Sequence, residues 1–380
     1  MKTSDLSFDE IRPYRDEEVN EVLSQIATKP SFLKLISYMF PRLSSKDIQE
    51  GFAHIHSVSA FQALYIHQGM RSLASNSTDG LSYEGIKQLD KKTPYLFLSN
   101  HRDIILDSAF LNILLFEHGV DTTEIAIGDN LMVSPLVTDL MKLNKSFIVH
   151  RNAPRRLLPS YSKRLSQYIR HVLQEKEQSV WIAQRNGRTK DGVDQTAPGL
   201  LKMLSLSREE GLAASFAKLN LTAVAISYEY EPCAGLKAEE LLHQELGLPY
   251  TKDDKTAIIQ GIRAQKGRVH LAVGQPIKDF SVMDGPTERS NDWLRALAHL
   301  LDQEIDRLYK RWPTNYIASD LWLQEDRYTN HYSEQEKERF QQYLDHQVSL
   351  HKGDPFLLRQ KVLEIYAGPV LGKQVLSSVE

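Results

Sequence analysis

His101 and Asp107 are the residues of this chain from which chemistry is most readily built. They follow the apolar run Tyr95-Leu96-Phe97-Leu98-Ser99 and Asn100, and an apolar helical pattern begins behind them at 109–116. The pattern reads as strand, loop, helix. It puts an imidazole at the open end of a buried strand and a carboxylate at the start of the next helix. A histidine held by a carboxylate can take a proton from an alcohol, so the segment suits transfer of a group to a hydroxyl. Asp103 competes for the histidine; its other possible task is to cap the helix by accepting a free backbone N–H. The run His101-Arg102-Asp103 also resembles a kinase loop. Ser108 stands where that chemistry needs asparagine, however, and the chain has no Asp-Phe-Gly.

A second group is basic. Between 142 and 190 lie Lys142, Lys145, Arg151, Arg155, Arg156, Lys163, Arg164, Arg170, Lys176, Arg185, Arg188 and Lys190, opposed within the stretch by Glu175 and Glu177 alone. Most are expected on solvated helix surface. Arg151 differs because it closely follows the apolar run 147–149. Arg185, Arg188 and Lys190 differ because they share the loop after 180–183 with Asn186 and Gly187. If the sheet is parallel here, both loops lie at the edge that carries His101, where guanidinium and ammonium groups bind phosphate. Gly187 would let the backbone approach a ligand. Tyr228-Glu229-Tyr230-Glu231 ends another strand candidate, whose polar residues either are simply exposed or belong to the site.

The elements that must position these residues follow from periodicity. Residues 1–78 read as a helical N-terminal region, with one long helix expected over 45–73. The turn-rich run 75–80 closes it. Strand candidates at 95–99, 123–127, 146–149, 179–183, 222–228 and 269–273 alternate with helices at 108–118, 135–143, 155–175, 198–217 and 251–265. The expected fold is α/β, a central mixed, mostly parallel sheet flanked by helices over 79–285. A helical C-terminal region follows over 286–380, with a turn at Pro313-Thr314-Asn315 and helices near 332–348 and 355–367.

Composition sets the outer bounds. The chain has 380 residues, 41% hydrophobic and 25% charged, with a formal net charge of −3. These values fit a soluble globular protein and exert no general pull on nucleic acid. Aromatics do not interleave the basic stretch, so a nucleic-acid partner is not expected. The single cysteine, Cys233, rules out an intramolecular disulfide and a cysteine-rich metal site. No metal-ligand spacing is seen. The polar, acidic N-terminus is unlike a secretory signal. The cytoplasm is expected, with peripheral contact at the inner face of the membrane as an option; the basic stretch would favour anionic lipid.

Taken in order, these blocks resemble the glycerol-3-phosphate and 1-acylglycerol-3-phosphate O-acyltransferases over about 90–280. Asn100-His101-Arg102 resembles the first family block, although five residues rather than four separate His101 from Asp107. The apolar run behind Asp107 favours it over Asp103. Phe147-Ile148-Val149-His150-Arg151 is similar to the second block. Asn186-Gly187-Arg188-Thr189-Lys190 is similar to the third, with Asn186 where the family has Glu. The run ending in Tyr228 resembles the fourth, with Ala223 near the family's Pro.

The resemblance implies O-acyl transfer from acyl-CoA or acyl carrier protein to glycerol 3-phosphate or lysophosphatidate in phospholipid biosynthesis. The thioester is the co-substrate and no cofactor is implied. His101 would be the general base, oriented by Asp107. Arg102, Arg151, Arg185, Asn186, Gly187, Arg188, Lys190 and Tyr228 would contact substrate. Transfer to a lyso-amino-acid lipid, hydrolysis of a lipid ester or thioester, and non-catalytic phospholipid binding are the alternatives.

Overall fold

A computed structural model describes residues 7–40, 42–151, 153–280 and 290–376. Its centre is a seven-stranded sheet: β1 (Leu81–Glu84), β2 (Leu96–Ser99), β3 (Glu124–Gly128), β4 (Ser146–Val149), β5 (Val180–Ala183), β6 (Leu221–Tyr228) and β7 (Val269–Pro276). The spatial order is β1-β7-β6-β2-β5-β3-β4. Every neighbouring pair is parallel except β6 and β7. The expected α/β fold with a mixed, mostly parallel sheet is therefore present. β1 was absent from the sequence reading: four residues with the burial alternation of an edge strand give little signal.

β2 is buried along its whole length, as is β6. Continuous apolar runs of this kind mark strands covered on both faces. Leu96 and Leu98, with Val180 and Ile182, face a core completed by the helices Leu158–Gln174, Pro198–Leu204 and Ser290–Leu308. Phe97 and Trp181 face the opposite core, with Phe110, Leu111 and Leu114 of the helix Leu106–Glu117. The N-terminal helices pack a core of their own that reaches Leu143. A fourth core joins the helices Pro313–Leu323, Glu334–Ser349 and Pro355–Leu376 to Ala234 and Ala238 of the helix Ala234–Glu245.

Several expected elements differ. The helix expected over 45–73 is broken after Ala53, and the Ser57 hydroxyl caps a new start by accepting the Ala60 N–H at 3.1 Å. The helix expected over 198–217 is two, Pro198–Leu204 and Leu212–Ala217, parted by Ser205-Leu206-Ser207-Arg208-Glu209-Glu210-Gly211. Pro313 begins a helix rather than a turn, because proline at the first helical position loses no hydrogen bond. The helix Asp16–Ile26 falls within the expected helical N-terminal region, whereas the helix Ala234–Glu245 was not anticipated. The boundary expected at 285/286 lies outside the described residues. Among the described residues, no helix is long and apolar enough to cross a membrane.

Candidate active site

β2, β3, β4, β5 and β6 run in one direction, so the loops after them share one edge of the sheet. Ligands of open α/β sheets bind at such edges. β2 is followed by Asn100, whose side chain extends the sheet. Its Oδ1 accepts the Ile226 N–H at 2.8 Å, and its Nδ2 donates to the Ile226 carbonyl at 3.0 Å. The buried amide thus satisfies backbone groups that the strand has ceased to pair, and it holds the next residue, His101, at the edge.

Asp103 and Asp107 divide the two tasks left open by their spacing. Asp103 Oδ1 accepts the N–H groups of Ile105 (2.9 Å) and Leu106 (2.8 Å), which opens the helix Leu106–Glu117. Asp107 Oδ2 accepts from His101 Nδ1 at 2.8 Å, from Arg102 N–H at 2.7 Å and from Asp103 N–H at 3.0 Å. Its Oδ1 accepts the Tyr228 hydroxyl at 2.8 Å. Four donors surround a carboxylate only 2% exposed, the arrangement a buried charge requires. The extra residue between His101 and Asp107 is absorbed by the Asp103 turn. Burial and the neighbouring Asp107 push the Asp103 carboxyl above its usual range, and the Tyr228 hydroxyl is pushed well up by burial and by Asp107.

With Nδ1 on Asp107, Nε2 of His101 is the nitrogen left for a substrate. The ring meets Trp181 edge-on, centroids 5.9 Å apart, and lines a cleft of about 610 Å³. Arg151, Arg185, Asn186, Gly187, Arg188 and Lys190 line the same cleft. Gly187 has φ +80°, a conformation that favours glycine, and open space where a side chain would stand. The loop is docked on the histidine: Thr189 N–H donates to the His101 carbonyl at 2.7 Å. Arg188 Nη1 is buried without a hydrogen-bond partner. Burial lowers the Arg151 guanidinium, which lies across Gly128.

Lys190 is less available than its position suggests. It is ion-paired with Glu240, and burial lowers its ammonium. The basic stretch is likewise more neutralised than its local sequence implies. Lys176 pairs with Glu124, and Arg170, 8% exposed, is buried against Ser215.

Two expected substrate contacts are corrected. Arg102 is 1% exposed and turned inward, donating to Asp194 Oδ2 (2.7 Å), the Gly192 carbonyl (3.0 Å) and Glu231 Oε2 (3.4 Å), with its guanidinium 5.1 Å from the Tyr309 ring centroid. Tyr228 is equally buried and holds Asp107. Both residues build the site without facing the cleft. Glu229 and Glu231 are buried as well, 8% and 5% exposed, because Arg268 and Lys237 pair with them.

Sequence reasoning missed two groups. Asp194 accepts from Asn100 (2.9 Å), Arg102 (2.7 Å) and Thr189 (2.6 Å), locking the loop after β5 to the loop after β2. No local pattern announces it. The second group is the far wall of the cleft, from the helix Ala234–Glu245 to the helix Asp254–Arg263, including Lys237, Glu240, Tyr250 and Asp254. Buried Ala234, Ala238 and Leu242 repeat every fourth residue, a signal that was present but overlooked. Asn130 Nδ2 reaches this wall, donating to Asp254 at 3.0 Å. Among the described residues, no three His, Cys, Asp or Glu side chains group as metal ligands.

Residues 80–229 match the protein-family model described as acyltransferase. The dihydroxyacetone phosphate acyltransferase of Bos taurus is 25% identical over 213 residues, 54% of this chain and 30% of that protein. The protein of the same name from Mus musculus is 22% identical over 282 residues, 72% of this chain and 39% of that protein. The chain therefore spans well under half the length of these relatives. Among solved structures, the 1-acyl-sn-glycerophosphate (LPA) acyltransferase of Thermotoga maritima aligns with 76% of this chain and 97% of that chain. The identity is 12% and the TM-score 0.34, a likeness too loose to build on.

Proposed function

We propose that the chain, residues 80–229 of which match the acyltransferase family model, moves an acyl group from a thioester to a hydroxyl of a phosphorylated three-carbon acceptor. Glycerol 3-phosphate, lysophosphatidate and dihydroxyacetone phosphate all offer that combination of hydroxyl and phosphate. The observation that carries the reading is the His101–Asp107 pair opening on a cleft that also holds Arg185 and Arg188. His101 Nε2 takes the hydroxyl proton as the oxygen attacks the thioester carbonyl. Asp107 keeps the other ring proton on Nδ1 and stabilises the imidazolium. Collapse of the tetrahedral intermediate breaks the C–S bond, and the imidazolium returns its proton to the departing thiolate. The products are an ester and a free thiol, with no further cofactor called for. Acyl-CoA and acyl carrier protein both fit the donor role, and the proposed location is the cytoplasm, with peripheral contact at the inner face of the membrane as an option.

Arg188 is the first clamp to test, because a buried guanidinium nitrogen without a partner is costly until an anion meets it. Arg188→Gln is expected to raise KM for the phosphorylated acceptor, by a factor of about 10 or more, while leaving KM for the thioester near that of the parent. Steady-state kinetics with each substrate varied in turn would decide. An unchanged acceptor KM would remove Arg188 from the phosphate site.

A further inference from the structure

Lys237 lies beyond the part of the chain that matches the acyltransferase family. It is 1% exposed and sits in the first turn of the helix Ala234–Glu245. That helix is preceded by Cys233, whose φ of +58° is uncommon for a residue with a side chain. The turn carries the helix back beneath the loop that follows β2. There the Lys237 ammonium donates to the Arg102 carbonyl at 2.8 Å and to Glu231 Oε1 at 2.5 Å.

The Arg102 carbonyl and the Asp103 N–H are two ends of one planar peptide unit. The Asp103 N–H donates to Asp107 Oδ2 at 3.0 Å, the oxygen that also holds His101 Nδ1 at 2.8 Å. A cation therefore grips one end of this peptide and the catalytic carboxylate grips the other. Both hydrogen bonds are charge-assisted, and bonds linked through one polarisable amide strengthen each other. If the peptide turned, Asp107 would lose one of its four donors and its fixed position against the imidazole. Glu231 has a second cation in Arg102 at 3.4 Å, so it does not depend on Lys237 alone.

We propose that Lys237 is a positioning residue for the His101–Asp107 pair, acting through the 102–103 peptide. The proposal rests on the acyl-transfer reading and extends it to a residue outside the matched domain. Its rival is a plain counter-ion role for Glu231. Three full-length proteins separate the two: the parent, Lys237→Met, and Lys237→Met combined with Glu231→Gln. The double variant also removes the buried carboxylate that could unfold the single one.

Steady-state acyl transfer is expected to show a kcat lowered about 10²-fold in both variants, as for a misplaced catalytic group, with both KM values near those of the parent. In proteins labelled with ¹⁵N-histidine, the His101 Nδ1 proton should exchange slowly in the parent and be lost from the spectrum of both variants. Parent-like kcat and a retained Nδ1 proton in the double variant would overturn the proposal and leave Lys237 as a counter-ion. A parent spectrum without that protected proton would also contradict it. The spectrum can be read even if the parent transfers no acyl group, so a failure of the acyl-transfer reading would be seen separately.

Discussion

At the scale of single residues, the site is a set of buried charges whose partners decide their use. Asp107 is held by four donors, Arg102 by two carboxylates and a carbonyl, and Lys237 by a carboxylate and a carbonyl. Lys266 is the exception. It is fully buried and donates only to the Ile262 and Ala264 carbonyls, with no carboxylate ion-paired to it among the described residues. Burial lowers its ammonium from 10.5 to about 8. In the unfolded chain the amine keeps its proton up to pH 10.5; in the folded chain it releases it near pH 8. Between those values the unfolded state binds more protons, so stability rises with pH across that window. Lys266→Met is therefore expected to stabilise the protein at pH 7, by on the order of 1–3 kcal/mol, with the gain shrinking toward pH 10. Denaturant unfolding at both pH values would test this, and an equal gain at pH 7 and 10 would refute the assignment.

At the scale of elements, the loop that carries His101 is held in place because its two flanking elements are fixed independently. β2 is clamped between β5 and β6, and the helix Leu106–Glu117 starts where Asp103 accepts two N–H groups. The helix Asp254–Arg263 packs against that cap from the other side of the cleft. A Cβ on Gly261 would stand 2.3 Å from Asp103 Oδ2. Gly261→Ala must therefore displace the capping carboxylate or the helix. The expected cost is about 1–3 kcal/mol of stability, as for other overpacked sites, together with a fall in kcat as the loop shifts. A folded Gly261→Ala protein with parental melting temperature and kcat would show that the contact relaxes freely.

At the scale of the whole molecule, most of the sheet was legible because its strands are short apolar runs closed by polar loops, the pattern of a doubly covered parallel sheet. Six of the seven strands stood out in this way, and β1, half-exposed at the edge, did not. The loops after β2, β4 and β5 were legible as one edge for the same reason. Two things were hidden. Whether a charged residue faces the cleft or the core depends on distant partners: Asp194 and Glu231 draw Arg102 inward, while Arg188 is left facing the cleft. The far wall comes from chain beyond the family match and is supported by the C-terminal helices. The Tyr366 hydroxyl accepts the Glu231 N–H at 2.7 Å, and Tyr309 covers Arg102. The C-terminal helices are thus joined to the loop after β6 and, through Glu231, to Lys237 and Arg102.

The most direct test of the central claim is acyl transfer by the purified parent and by His101→Ala. Labelled acyl-CoA and acyl carrier protein thioesters would be offered with glycerol 3-phosphate, dihydroxyacetone phosphate and lysophosphatidate. The account predicts an ester product with at least one pair from the parent, and a loss of about 10²–10⁴-fold in the folded variant, the usual worth of a positioned general base. Equal turnover by parent and variant, or release of free fatty acid regardless of acceptor, would contradict it.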